Sequence, residues 1–126
     1  MSDTNFTLKE MCALFDVTPR TLRYYEYLEL IRPAKIGRRR QYGPTERARV
    51  KLIRQGRRFG FSLEEIRQWL ELYNQDAQNR RQMERWVEMS TQQLAELAKR
   101  KQELDEVTEE LFRLRSMAQK SLNTLG

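Results

Sequence analysis

Thr18-Pro19-Arg20-Thr21-Leu22-Arg23-Tyr24-Tyr25-Glu26 is the stretch on which the fold turns. Thr18 suits an N-cap, where its hydroxyl accepts from an orphan amide of the first turn. Pro19 suits the next position, where no amide hydrogen is required. On a helical wheel with Pro19 at zero, Arg23 falls at about 40°, Tyr27 at about 80°, Arg20 at about 100° and Tyr24 at about 140°. Leu22 and Tyr25 fall on the other side, at about 300° and 240°. One face is therefore apolar, and the other holds two arginines and two tyrosines. That second face fits a DNA major groove: arginine binds guanine O6 and N7 bidentately, and a tyrosine hydroxyl bonds a phosphate. Taken alone, a basic amphipathic helix is usually just a solvated one, so its surroundings decide.

Upstream, Thr7-Leu8-Lys9-Glu10 reads as a capping box, with Phe6 and Met11 as the hydrophobic staple. Leu8, Met11, Cys12 and Phe15 then recur on one helical stripe that ends near Asp16. Two short helices joined by a tight turn make a helix-turn-helix. This shifts the balance toward a reading helix at Thr18.

Downstream, Pro33 stops the helical pattern. Residues 34–42 centre on Gly37 and read as a small hairpin carrying Arg38-Arg39-Arg40. Three adjacent cations repel one another, and a phosphate backbone supplies the missing counter-charge; most charge runs are merely solvated loops, but beside a helix-turn-helix a DNA-contacting wing is the better reading. Gly43-Pro44 opens a further helix that ends between Gly56 and Gly60. Phe61-Ser62-Leu63-Glu64-Glu65-Ile66 repeats the capping box and staple, starting a helix that reaches about Tyr73. Asn74 to Gln78 is a polar joint.

From Asn79 to Ala118 there is neither proline nor glycine. Met83, Val87, Leu94, Leu97, Leu104, Val107, Leu111 and Leu114 recur mostly three or four apart. Ser90 and Lys101 interrupt them, and the phase slips near Leu104–Val107. A helix that long cannot bury its stripe on a small head, so a partner helix is expected. The expected organisation is a head over 1–73, a joint over 74–78, a dimerisation helix over 79–118 and a tail over 119–126.

Charge follows the same division. The chain has 126 residues and a net charge of +6. Residues 1–70 carry 15 Lys+Arg against 8 Asp+Glu, whereas residues 71–126 carry 9 against 10. The basic excess is concentrated in the head, as for a protein with a polyanionic partner. Without histidine, and with Cys12 as the lone cysteine, an intrachain disulfide and a Cys/His zinc site are excluded. No nucleophile–base pair or phosphate loop is assembled, so an enzyme is not expected, nor a metal or other cofactor. Cys12 lies on the apolar stripe and reads as a packed thiol ahead of a redox sensor. Trp69 and Trp86 read as core or interface residues ahead of an effector pocket. Met1-Ser2-Asp3-Thr4 lacks the pattern of a secretory leader, and no segment has the length of a membrane span. The expected location is the cytoplasm.

These residues resemble the MerR family of bacterial transcription regulators. The resemblance rests on Thr21-Leu22-Arg23-Tyr24-Tyr25-Glu26, on Arg40-Gln41-Tyr42 at the end of the wing, and on Phe59-Gly60-Phe61-Ser62-Leu63-Glu64-Glu65-Ile66, in that order. It implies a mainly α fold: a winged helix-turn-helix head, a second helix pair, and a long C-terminal helix that forms an antiparallel coiled coil between two subunits. It also implies a pseudo-palindromic operator, bent and untwisted so that RNA polymerase engages both promoter elements. Arg23, Tyr24, Arg40 and Tyr42 are the contacts the resemblance carries over. Thr18, Arg20, Thr21, Tyr27, Arg38 and Arg39 complete the expected DNA-binding set. The cysteines that metal, mercury and redox sensors of the family place at the end of the coil have no counterpart here, and no added drug-binding domain is expected. Lys51 to Gly60 resembles a short-chain subgroup, some of whose members control amino acid or acyl-CoA catabolism. Effector, operator and sign of regulation stay open. Two other readings of the basic head are a sequence-tolerant architectural DNA-binding protein and a coiled-coil adaptor that binds an acidic protein.

Overall fold

A computed structural model of the chain describes residues 5–126; the expectation that Met1–Thr4 is no leader falls on residues outside them. The element order is α1 (Leu8–Phe15), α2 (Pro19–Tyr27), β1 (Ala34–Ile36), β2 (Arg39–Gln41), α3 (Pro44–Phe59), α4 (Leu63–Glu71) and α5 (Arg80–Leu125). It forms two compact units, one running to Trp86 and the other comprising Val87–Gly126.

Helix starts fall where the sequence signals place them. The Glu10 amide donates to Thr7 Oγ1 at 3.1 Å, and the Thr7 amide donates to Glu10 Oε1 at 2.8 Å. Ser62 and Glu65 repeat this arrangement at 3.1 and 2.9 Å. Thr18 caps α2 by accepting from the Thr21 amide at 3.1 Å. Each such cap satisfies a donor that would otherwise stay unpaired, and contributes about 1 kcal/mol. Asp16, at φ 54°, closes α1 in the left-handed conformation, which aspartate tolerates better than most residues. Glu29, at φ 63°, follows α2 in the same conformation and has no such excuse in its side chain.

β1 and β2 pair antiparallel, Ala34 with Gln41 and Ile36 with Arg39, around Gly37 at φ 63°. The N-terminal segment extends this sheet. Phe6 and Tyr42 exchange both backbone hydrogen bonds, each 2.8 Å, so the wing is stitched to the residue that precedes α1. Arg47 lies 4.4 Å from the Phe6 ring centroid and donates to the Tyr42 carbonyl at 3.3 Å, locking the same corner.

The core of the head is built from Met11, Leu22, Tyr25, Leu30, Ile31, Tyr42, Val50, Ile53, Phe61, Ile66 and Leu70. Gly56 is where α3 meets α4: a Cβ there would stand 2.8 Å from Ile66 Cδ1, so a larger residue would force Ile66 to shift. Beside it, Phe61, Trp69 and Trp86 pack ring to ring, with Trp86 centred 5.7 Å from Phe61 and 5.8 Å from Trp69. The Trp69 indole donates to the Gln82 carbonyl at 3.0 Å, and the Gln82 amide donates back to the Trp69 carbonyl at 3.1 Å. The first turns of α5 thus belong to the head, which extends beyond the Tyr73 expected from sequence.

α5 is continuous from Arg80 to Leu125 and passes Ala118, after which a tail was expected. Along 87–126 every large apolar side chain except Met89 is exposed. No helix among the described residues is long and apolar enough to cross a membrane.

Candidate nucleic-acid interface

The wheel drawn on α2 corresponds to its observed faces. Leu22 and Tyr25 are buried, whereas Arg20, Arg23, Tyr24 and Tyr27 are exposed. Tyr24 and Tyr27 stack at 6.5 Å, their planes 17° apart, and present a flat aromatic ledge one turn long. Thr18 and Thr21 are occupied locally: their hydroxyls lie 3.0 Å apart, and Thr18 also carries the cap.

The wing divides into two kinds of residue. Arg38 and Arg39 are exposed at its tip. Arg40 is partly buried, its Nε donating to Glu26 Oε1 at 2.7 Å. Lys35 Nζ stands 3.5 Å from the other Glu26 oxygen. Glu26 belongs to α2, so one carboxylate ties both strands of the wing to that helix. The arrangement fixes the separation of helix and wing, which a DNA duplex would have to match. The sequence reading gave Glu26 no role; its signal was a lone acid on an otherwise basic and aromatic stretch.

Tyr42 corrects that reading. Its side chain is fully buried and its backbone belongs to the Phe6 bridge, so the ring can reach no phosphate. Its hydroxyl is buried without a hydrogen-bond partner among the described residues. Burial pushes the phenol above its ordinary range, with Arg40 pulling the other way, so it stays neutral at physiological pH. Tyr42 is core. Arg40 is first a strap between wing and helix.

Helix α1, helix α2 and the wing enclose an open groove of about 440 Å³, lined by Thr7, Leu8, Lys9, Arg23, Arg38, Arg39 and Arg40. Five cations converge there at the N-terminus of α1. The helix dipole makes that end electropositive, so Lys9 in the first turn is placed against its own helix. An anion in the groove would reverse that penalty. Lys9 was missed in the sequence, although a lysine just inside a capped helix start was a legible anomaly. Not every head arginine faces this groove: Arg49 donates to the Leu30 carbonyl at 2.8 Å and holds α3 to the segment after α2.

Residues 6–72 match the MerR HTH family of regulatory proteins, and residues 47–114 match the MerR DNA-binding region. The chain belongs to the MerR family of DNA-binding helix-turn-helix regulators. Among its relatives, the HTH-type transcriptional regulator HmrR of Rhizobium leguminosarum bv. viciae is 44% identical over 55 residues, 43% of either chain. The HTH-type transcriptional regulator ZntR of Escherichia coli K12 is 36% identical over 69 residues, 53% of this chain and 49% of that protein. In these matches the chain spans about half the length of its curated relatives. MtaN, the N-terminus of the Bacillus subtilis multidrug transporter activator, is similar at TM-score 0.62 and 25% identity, over 86% of this chain and 95% of that one. HiNmlR, a MerR family regulator lacking the sensor domain and solved bound to promoter DNA, has the same fold at TM-score 0.63 and 18% identity, over 80% and 79% of the two chains.

Proposed function

We propose that this MerR-family chain acts as a homodimer on a pseudo-palindromic promoter operator, with α2 in the major groove and the wing on the flanking backbone. The observation that carries the reading is the groove between α1, α2 and the wing, where Lys9, Arg23, Arg38, Arg39 and Arg40 converge. Arg23 and Arg20 stand where base edges would be read; Tyr24 and Tyr27 flank them; Lys9, Arg38 and Arg39 suit phosphates. In this reading the two heads of a dimer grip backbone on both sides of the operator centre. Backbone contacts can then repay the energy of bending and untwisting the duplex, which brings the promoter elements into reach of RNA polymerase. The expected targets are genes of amino acid or acyl-CoA catabolism, on the resemblance of residues 51–60 to that subgroup.

Arg23→Ala tests the reading. Recovery of bound genomic fragments supplies the operator, and the neighbouring genes test the target class. A titration on that operator should then show a loss of about 1–3 kcal/mol, with relaxed preference at one base pair. Unchanged affinity and preference would remove α2 as the reading element. Competition against random DNA at physiological salt separates this function from a sequence-tolerant architectural role, for which both DNAs would bind alike and the salt dependence would be steep.

A further inference from the structure

We propose that Glu26 is a specificity-determining positioning residue: by holding Lys35 and Arg40 it keeps two cations from binding duplex of any sequence, and it sets the wing at the spacing an operator requires. This rests on the reading role proposed above for α2 and the wing, and adds a residue to it. Residues 19–41 carry seven Lys+Arg and two Asp+Glu. One of the acids, Glu29, lies in the open beside Arg32 at 3.6 Å. The other, Glu26, has a side chain only 22% exposed and stands three residues after Arg23 on the same helix. A carboxylate at that place repels an approaching phosphate. On charge alone it weakens binding to every DNA, whatever the sequence.

The hairpin register gives the acid its use. Lys35 and Arg40 are direct cross-strand partners. Like charges that face each other across a ladder repel. Glu26 stands against both: Oε1 accepts from Arg40 Nε at 2.7 Å, and Oε2 lies 3.5 Å from Lys35 Nζ. Each oxygen thus serves one strand. The Phe6–Tyr42 bridge anchors the root of the hairpin, and Glu26 anchors a rung nearer its tip. With the first anchor alone the hairpin could pivot; with both, its pitch against α2 is fixed.

The pairing sorts the cations of the head. Arg23, Arg38 and Arg39 line the groove with no ion pair among the described residues. Arg40 lines it too, but its Nε is taken by Glu26, and Lys35 is held by the same carboxylate. Released, Lys35 and Arg40 would add phosphate contacts on DNA of any sequence, and the wing would follow whichever backbone lay near. Backbone contacts set the register in which base edges are read. A loose wing therefore loses on the operator what it gains on random duplex, and the acid acts as an element against the wrong DNA.

Glu26→Gln tests this, since it keeps the shape of the side chain and removes its charge. Affinities for the recovered operator and for random duplex are titrated across a salt series. On random DNA the variant should bind more tightly, and the slope of log K against log salt should steepen by about 0.9 for each cation released. On the operator it should gain nothing, so the operator-to-random ratio should fall about tenfold, the size of one lost specific contact. Equal tightening on both DNAs would mean that Glu26 is only a repulsive charge, and would overturn the proposal. Equal weakening on both, or loss of the near-ultraviolet dichroism of the Phe61–Trp69–Trp86 cluster, would mean that Glu26 only holds the fold, and would overturn it too. Arg40→Gln and the double variant close a cycle: the two losses of ratio should not add, whereas additive losses would give Arg40 a role independent of Glu26 and count against the strap. A parent chain that prefers no recovered fragment would bring down the proposed function itself. A parental preference that Glu26→Gln leaves intact would bring down only the role of Glu26.

Discussion

The head and the second unit solve the burial problem in opposite ways. Up to Trp86, short helices end on explicit caps, and their apolar faces close on one another around Met11, Leu22, Ile53 and Ile66. From Val87 onward a single helix keeps its stripe in the open. The head is complete as one chain. The stripe is stable in water only against something else, because an isolated helix draws little stability from propensity alone. On the proposed function, sequence specificity and partner choice would be separated along the chain, with α2 and the wing holding the first and α5 the second.

The comparison breaks most sharply at Leu97. Leu97→Asp would put a carboxylate into the exposed apolar stripe of α5, which the proposed homodimer buries. Dimer affinity should fall by about a thousandfold, or about 4 kcal/mol, as buried unpaired charges cost several kcal/mol each. Sedimentation measures this, and operator affinity should fall with it. The near-ultraviolet dichroism of the Phe61–Trp69–Trp86 cluster should persist. Loss of that signal together with the dimer would show that the head does not stand alone.

Gly56→Ala probes the other side of the comparison. The added methyl meets Ile66 Cδ1 at 2.8 Å, so Ile66 must move within a packed layer. Overpacking of this kind costs about 1–3 kcal/mol. The melting temperature of the head should drop, while the sedimentation of the proposed dimer stays the same. An unchanged melt would mean that the α3–α4 packing has slack the geometry does not suggest.

What was legible in the sequence was local. Thr7/Glu10 and Ser62/Glu65 state their helix starts within four residues, and Thr18-Pro19 does so within two. Gly37 marks the hairpin because the turn needs a positive φ. The two faces of α2 follow from the helical period. What was not legible is long-range. The Phe6–Tyr42 bridge joins residues on opposite sides of the whole helix-turn-helix, and Glu26 meets Arg40 only once the wing folds back. The motif Arg40-Gln41-Tyr42 named residue types without their direction. Strand alternation held a clue, since positions two apart share a face and a buried Tyr42 draws Arg40 inward with it. The end of α5 was set at Ala118, where the strong stripe thins, but Leu122 and Leu125 continue the helix.

The smallest effect, and the one that best separates reading residues from supporting ones, is expected at Tyr42. Tyr42→Phe removes a hydroxyl that is buried and unpaired among the described residues, and leaves the ring that fills the core. Losing an unsatisfied polar group is neutral or mildly stabilising, within about 1 kcal/mol. Operator affinity should hold within about twofold, since removing a hydrogen bond to a phosphate would cost more than the roughly 0.4 kcal/mol that twofold represents. Tyr42→Ala, in contrast, empties the core beside the Phe6 bridge and should cost about 3–5 kcal/mol of stability. A titration in which Tyr42→Phe alone weakened binding tenfold, with stability unchanged, would put the hydroxyl back on the DNA and require the wing to open when it binds. The unpaired oxygen is then the atom to watch, because the groove residues Arg23 and Arg40 are both cations that act on it.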